Sequence, residues 1–366
     1  MTDIGRFQPD WASPPGDSIL DALEERGWTQ VELAQRTGVT TKHVSDLVHG
    51  RASLSADMAG LLSRVLGSTP QFWLTREAHY RAALAMRAEA ASLEPQAAWL
   101  DAFPVRWMIK HGWIGDAPTA GGRVMEMLRF FRVASTAVWA DVWQEPFAAW
   151  RASKRQKKDP GAVAAWLCRA ERLAEAVPTE PYDRRRFTAM LPDLRALSLV
   201  EDPGVFLPTL RERCASAGVA LVWVPAPPGC PVSGATRWLS PDKALLALSL
   251  RYKADDHLWF SFFHEVGHLL THGKKLLFLE GMAGLDAEAE AEADAFARDL
   301  LLPPARAHEL RSMRTESAVQ AFAEREGIAP GVVVGRLQHD KCIPFSALNH
   351  LKARYSWEAE GGPDAE

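Results

Sequence analysis

The run His264-Glu265-Val266-Gly267-His268 lies inside an apolar stretch, and that pairing limits the fold more than any other feature of the 366 residues. Leu258-Trp259-Phe260-Ser261-Phe262-Phe263 leads straight into the first histidine and Leu269-Leu270 follow the second, so the segment reads as a buried helix. Histidines four apart on a helix point the same way, and both imidazoles can reach one metal ion. Glu265, between them, is placed to take a proton from water that the metal activates. Buried imidazoles need partners, which is why a metal-binding helix explains this pattern better than an ordinary core helix.

A chain of this length is expected to form two or three domains, each with its own core. At 47% hydrophobic and 24% charged residues the composition is that of a soluble globular protein. The fourteen tryptophans suggest packing anchors between helices. No stretch approaches eighteen apolar residues, and the polar, Pro-containing start does not read as a signal peptide, so no membrane partner is expected. Cys168, Cys214, Cys230 and Cys342 have no metal-type spacing and read as reduced thiols of a cytoplasmic protein. A net charge of −4 gives no global case for nucleic acid, so any DNA contact must be local.

The expected organisation is an N-terminal arm (1–15), a helical head (16–84), a helical scaffold or linker (85–200), a chemistry-bearing tail (201–356) and an acidic end (357–366). In the head, short apolar-periodic helices alternate with Gly and Thr. Thr29 caps Gln30–Arg36, the turn Thr37-Gly38-Val39 follows, and Thr40 caps the next helix, Thr41–His49. Two helices joined by three residues have helix-turn-helix geometry, whose second helix can enter a major groove. Acids outnumber bases between Gly16 and Gly67, seven to five, which weakens phosphate binding. The densest basic run, residues 151–158 (RASKRQKK), precedes Asp159-Pro160, an N-cap and first-turn pair for a helix to Ala176. The scaffold, rich in tryptophan, carries no cluster with evident chemistry.

Pro15-Gly16, Thr29-Gln30-x-x-Leu33-Ala34, Gly38-Val39-Thr40, Val44-Ser45-x-Leu47-x-x-Gly50 and Leu66-Gly67-x-x-Pro70-x-Phe72-Trp73-Leu74 resemble the phage-repressor-like helix-turn-helix domain in its HigA-type antitoxin form. By that resemblance Thr41, Lys42 and Ser45 are solvent-facing residues of the recognition helix, and Gln30 sits where the family often meets phosphate.

In the tail, Gly218–Val224, Ala235–Leu239 and Ala244–Leu250 read as strands of a small sheet preceding the metal helix. A catalytic zinc site needs a third protein ligand. The next helix, Asp286 to Leu302, has Ala289, Ala293, Phe296, Ala297 and Leu300 as its buried stripe, flanked on opposite sides by Glu290 and Glu292 at similar angles. Periodicity leaves these two carboxylates equal. Glu288 belongs to the first turn, and His272 to a helix C-terminus, where the dipole favours each. HEVGH followed by Glu292-Ala293-Asp294-x-Phe296-Ala297-x-x-Leu300-Leu301-x-Pro303 is similar to the ImmA/IrrE metallopeptidases, with Asp294 where many members have Asn. Other stretches, such as Gly234–Leu239 and Ile328–Leu337, also look like that family's long members. The resemblance implies Glu292 as third ligand beside His264 and His268, Zn2+ as cofactor, Glu265 as acid–base and a zincin-like α+β tail.

The fold class expected is therefore mainly α with a small β-sheet in the C-terminal part, a helix-turn-helix head, a helical middle and the zincin-like tail. The function expected is a DNA-binding regulator, acting as a homodimer on an operator duplex, that carries a zinc endopeptidase cleaving a partner repressor or toxin-system protein. The alternative is an antitoxin-like autorepressor whose metal site is structural or sensory.

Overall fold

In the computed structural model, residues 12–144, 159–272, 278–279 and 287–356 are described. The basic run 151–158, residue 286 and the segment 357–366 lie outside them, as do residues 1–11 of the expected arm. The chain divides into two compact units, Met1–Ala98 with Ala117–Glu126, and Trp99–Asp116 with Met127–Glu366.

The first unit carries α1 (Pro15–Arg26), α2 (Gln30–Thr37), α3 (Thr41–Val48), α4 (Ala56–Leu66) and α5 (Pro70–Leu93). Its helices start where side chains can accept the free first-turn N–H groups: Thr29 from Glu32 N, Thr40 from His43 N, Ser55 from Met58 N and Thr69 from Phe72 N. α2 closes at Gly38 with φ 74°, a left-handed conformation that suits glycine. Ile19, Leu23, Leu33, Val44, Leu47, Met58, Leu62 and Trp73 make one core. The expected head helices are present, with α2 one residue longer and α3 one shorter than read.

The second unit contains α6 (Val105–Lys110), the C-terminal part of α7 (Ala120–Phe131), α8 (Thr136–Trp139), α9 (Pro160–Ala176), α10 (Arg184–Ala196) and α11 (Pro203–Ser216). Strands β1 (Val219–Trp223), β2 (Gly234–Ser240) and β3 (Lys243–Leu248) follow, then α12 (Asp255–Thr271), β4 (Phe278–Leu279), α13 (Ala287–Leu301), α14 (Ala307–Leu310), α15 (Glu316–Glu326) and α16 (Pro330–His339). The sheet order is β1-β3-β2-β4, with β1 parallel to β3 and β2 antiparallel to both β3 and β4.

Both sheet faces are covered, which is why the strands read as apolar runs and not as alternation. On one face Val219, Leu221, Ala244, Leu246 and Leu248 join Phe206, Leu210, Trp259, Phe262 and Phe263 of α11 and α12. On the other, Ala220, Val222, Ala235, Leu245 and Ala247 join α9 and an aromatic cluster of Phe103, Phe131, Trp139, Trp143 and Trp166. Trp166 also donates from Nε1 to the Val224 carbonyl at 2.9 Å. α9 and α11 thus pack on the sheet, with α10 against α11, and Trp166 anchors α9. Asp159 caps α9 as expected, accepting from Gly161 N and Ala162 N.

Candidate metal centre and helix-turn-helix surface

Helix α12 crosses the sheet with its polar stripe turned away from the aromatic core. His264 and His268 are 1% exposed and Glu265 is fully buried, three ionisable groups within five residues. Groups so buried must satisfy one another or hold an ion. α13 packs directly on this stripe because position 267 is glycine. A Cβ there would stand 3.1 Å from Ala293 Cα and 3.3 Å from Phe296 Cβ, so the bare backbone sets how near the second helix comes.

The approach brings Glu290 between the two histidines, 3.5 Å from His264 Nε2 and 3.4 Å from His268 Nε2, while the two Nε2 atoms lie 2.9 Å apart. The three donor atoms fall within 4.8 Å of one another. A tetrahedral ion with bonds of about 2.0–2.1 Å separates its ligand atoms by about 3.3 Å, close to these spacings. The rest of each imidazole is oriented as a ligand requires. Asp294 accepts from His264 Nδ1 at 2.8 Å, which fixes the proton on Nδ1 and leaves the Nε2 lone pair aimed at Glu290. Burial pushes His268 below the usual imidazole range, favouring the neutral form that can bind a metal. Burial alone would raise the Glu290 carboxyl; the two imidazoles beside it outweigh that and hold the group down at about 2, so it stands as a carboxylate. A carboxylate and two inward nitrogens at this spacing fit a divalent cation, and two nitrogens with one oxygen are a donor set suited to zinc.

Glu292 does not join them. It is exposed and bonds His272 Nε2 at 3.1 Å. The carboxylate that the structure groups with the two histidines is thus Glu290, where the resemblance pointed to Glu292. The reason lies in packing. The buried stripe of α13 is Ala289, Ala293, Ala297 and Leu301, and Glu290 and Asp294, four apart, share the flank that faces His264. Phe296 and Leu300, expected in the stripe, are only half-buried. Asp294, on the same flank, is half exposed and holds His264.

Glu265 points to the sheet. Its Oε2 accepts from Thr236 Oγ1 of β2 at 2.6 Å, and Thr236 is 2% exposed. Gly234 at the start of β2 makes room, since a Cβ there would come within 2.6 Å of Glu265 Oε1. Thr236 and Gly234 were missed as site residues. A lone hydroxyl in a strand predicted to be covered could have singled out Thr236, but not its partner.

In the first unit α3 presents Thr41 and Lys42 to solvent, while Ser45 and Gln30 are half-buried. The Ser45 hydroxyl lies 3.4 Å from Arg51 Nη2, and Arg51 is held by Asp46 at 2.9 Å. Arg51 thus adds a cation beside the recognition residues, outside the helix where periodicity looks for them. Arg36 stacks over Trp28, 3.7 Å from its ring centroid, and pairs with Glu32, while its side chain stays exposed.

Among known proteins, residues 19–73 match the family model described as helix-turn-helix. The chain is 40% identical over 60 residues to the uncharacterized HTH-type transcriptional regulator YddM of Escherichia coli strain K12, covering 16% of this chain and 64% of that protein. It is 36% identical over 67 residues to virulence-associated protein A' of Dichelobacter nodosus, covering 18% and 58%. The chain thus spans less than two thirds of the length of these curated relatives. Two solved structures are similar to 23% of the chain and 92% of their own, each with a TM-score of 0.22. One is an addiction module antidote protein of a HigA family from Coxiella burnetii, at 26% identity, and the other is the Pseudomonas aeruginosa antitoxin HigA with higBA promoter, at 30%. The family match and the five-helix core agree that residues 19–73 form a helix-turn-helix domain.

Proposed function

We propose that this chain is a helix-turn-helix transcription regulator whose second unit is a zinc endopeptidase acting on a partner protein. The observation that carries the peptidase half is the convergence of His264 Nε2, His268 Nε2 and the Glu290 carboxylate within 4.8 Å, one residue away from a buried glutamate. His264, His268 and Glu290 would hold the ion. Zn2+ so held supplies Lewis acidity, polarising a peptide carbonyl and making water nucleophilic near neutral pH. Glu265 accepts the proton of the attacking water and later delivers it to the departing amine. Thr236 fixes Oε2, so the proton moves at Oε1, the oxygen that Gly234 leaves room for.

The regulator half rests on the helix-turn-helix domain, with Thr41, Lys42, Ser45 and Gln30 facing DNA and Arg51 beside them. Because bases are sparse in this head, tight binding calls for a homodimer on a two-fold related operator. The relatives' names, a transcriptional regulator and an antitoxin with its promoter, support this half and suggest a toxin-type protein as the partner.

One observation favours a second reading, in which the metal site is structural or latent: Glu265 has no exposed surface and is tied to Thr236. The two are separated by expressing the chain and its Glu265→Gln variant with neighbouring gene products and following partner fragments by mass spectrometry. Fragments that vanish with Glu265→Gln support the peptidase. Identical fragments with both, while Glu265→Gln still represses, leave the autorepressor.

A further inference from the structure

Glu292 and His272 stand outside the three converging ligands, yet they meet the site from behind. His272 Nδ1 lies 3.1 Å from His268 Nδ1, and His272 Nε2 lies 3.1 Å from Glu292 Oε2. A carboxylate only accepts, so Glu292 requires the His272 proton on Nε2. Neutral His272 then offers a lone pair at Nδ1. Thr271, which also lies beside that ring, has its hydroxyl hydrogen on the Gly267 carbonyl at 2.7 Å and brings no competing proton. The remaining assignment is that His268 donates from Nδ1 to His272, which turns the His268 Nε2 lone pair toward Glu290. Asp294 does the same for His264 in a single step.

We infer that Glu292 and His272 form a two-member relay that sets the tautomer and ring orientation of His268 for metal binding. They are positioning residues, not ligands. This inference rests on the metal centre proposed above and assigns a task to the carboxylate that the geometry keeps away from the ion.

The test uses the full chain, stripped with a chelator and titrated with zinc in competition with a chromophoric chelator. Glu292→Ala and His272→Ala should each weaken zinc binding about 10–100-fold, the range for losing an outer hydrogen-bond partner. Glu292→Gln should stay within about threefold of wild type, because the glutamine carbonyl still accepts from His272 Nε2. The double variant should be no worse than His272→Ala alone. In the metal-free chain, imidazole 15N spectra should show His268 protonated on Nδ1 in wild type and Glu292→Gln, and shifted toward Nε2 protonation in Glu292→Ala. Unchanged affinity in Glu292→Ala overturns the relay. So does loss of stoichiometric zinc in both Glu292→Ala and Glu292→Gln, which would make Glu292 a ligand. If wild type itself holds no zinc, the proposed function fails, and the tautomer spectra still decide the relay.

Discussion

Lys352→Met should destabilise the second unit more than any other single change at its surface-remote polar groups. Lys352 Nζ lies 2.6 Å from Asp256 Oδ2 and 2.8 Å from Gln338 Oε1, and the lysine and aspartate side chains are 7% and 8% exposed. Asp256 sits in the first turn of α12, so this pair ties residue 352 to the helix that carries His264 and His268. Methionine has the lysine's length and apolar stem but no charge. Removing one member of a buried pair leaves the other uncompensated, which costs about 3–5 kcal/mol. For a domain this large, 1 kcal/mol corresponds to about 2–4 °C, so the midpoint should fall by roughly 6–20 °C. Removing both charges with Asp256→Leu and Lys352→Met should recover most of the loss, leaving about 1–2 kcal/mol for the Gln338 carbonyl that loses its donor. Urea denaturation of wild type, both single variants and the double variant gives the coupling energy directly. A coupling below about 0.5 kcal/mol, or a Lys352→Met cost under about 1 kcal/mol, would refute the claim that the charges are desolvated and interdependent.

Asp255, adjacent to that pair, carries a pH signature. Burial raises its carboxyl from 3.8 to about 6, against the pull of the Asp256 and Ala353 backbone N–H groups. The folded state thus holds the proton more tightly than the unfolded chain, and stability from this group is present below about pH 4 and lost as pH rises through about 6. The cost at pH 7 is about 3 kcal/mol, so Asp255→Asn should gain on wild type between pH 4.5 and 7.5 in paired denaturation curves; parallel curves would contradict this. Gly267→Ala should lower zinc affinity without unfolding the chain. The added methyl gains up to about 1 kcal/mol in helix propensity but forces α13 outward at a cost of about 1–3 kcal/mol, which separates Glu290 from the histidines; unchanged zinc affinity with a normal melting curve would sink that reasoning. Lys42→Ala with Ser45→Ala should reduce the preference for operator over random duplex about tenfold and reduce the salt slope by about one, measured by fluorescence anisotropy; equal preference in wild type and variant would remove α3 as the reading helix.

The sequence made some parts of this molecule legible because the cause was local. Thr29, Thr40 and Ser55 cap helices through their own side chains, and residues 219–223 and 244–248 are apolar at every position because helices cover both sheet faces. Those causes are written within a few residues. Other features depended on contacts far along the chain. Glu290 and Glu292 are indistinguishable by helical phase, and the choice between them is made where α13 meets Gly267, some twenty-five residues away. The E-A-E-A-D stretch carries both carboxylates, and the resemblance points to Glu292. The packed helices set Glu290 beside the histidines instead, with Asp294, one turn on, bonded to His264 Nδ1. The same distance explains why α9 and α10, inside the span 85–200, read as part of a scaffold or linker. The first half of α9, residues 161–168, is buried at every position, and a stretch buried all round reveals that it is covered without revealing by what. Only the sheet it packs on makes its pattern intelligible, and that sheet begins more than forty residues after the helix does. The chemistry follows the same division. Residue types for a metal and a base are adjacent on α12, while the groups that orient them, Thr236, Asp294 and Glu290, come from β2 and α13, so the site exists only once those elements have packed.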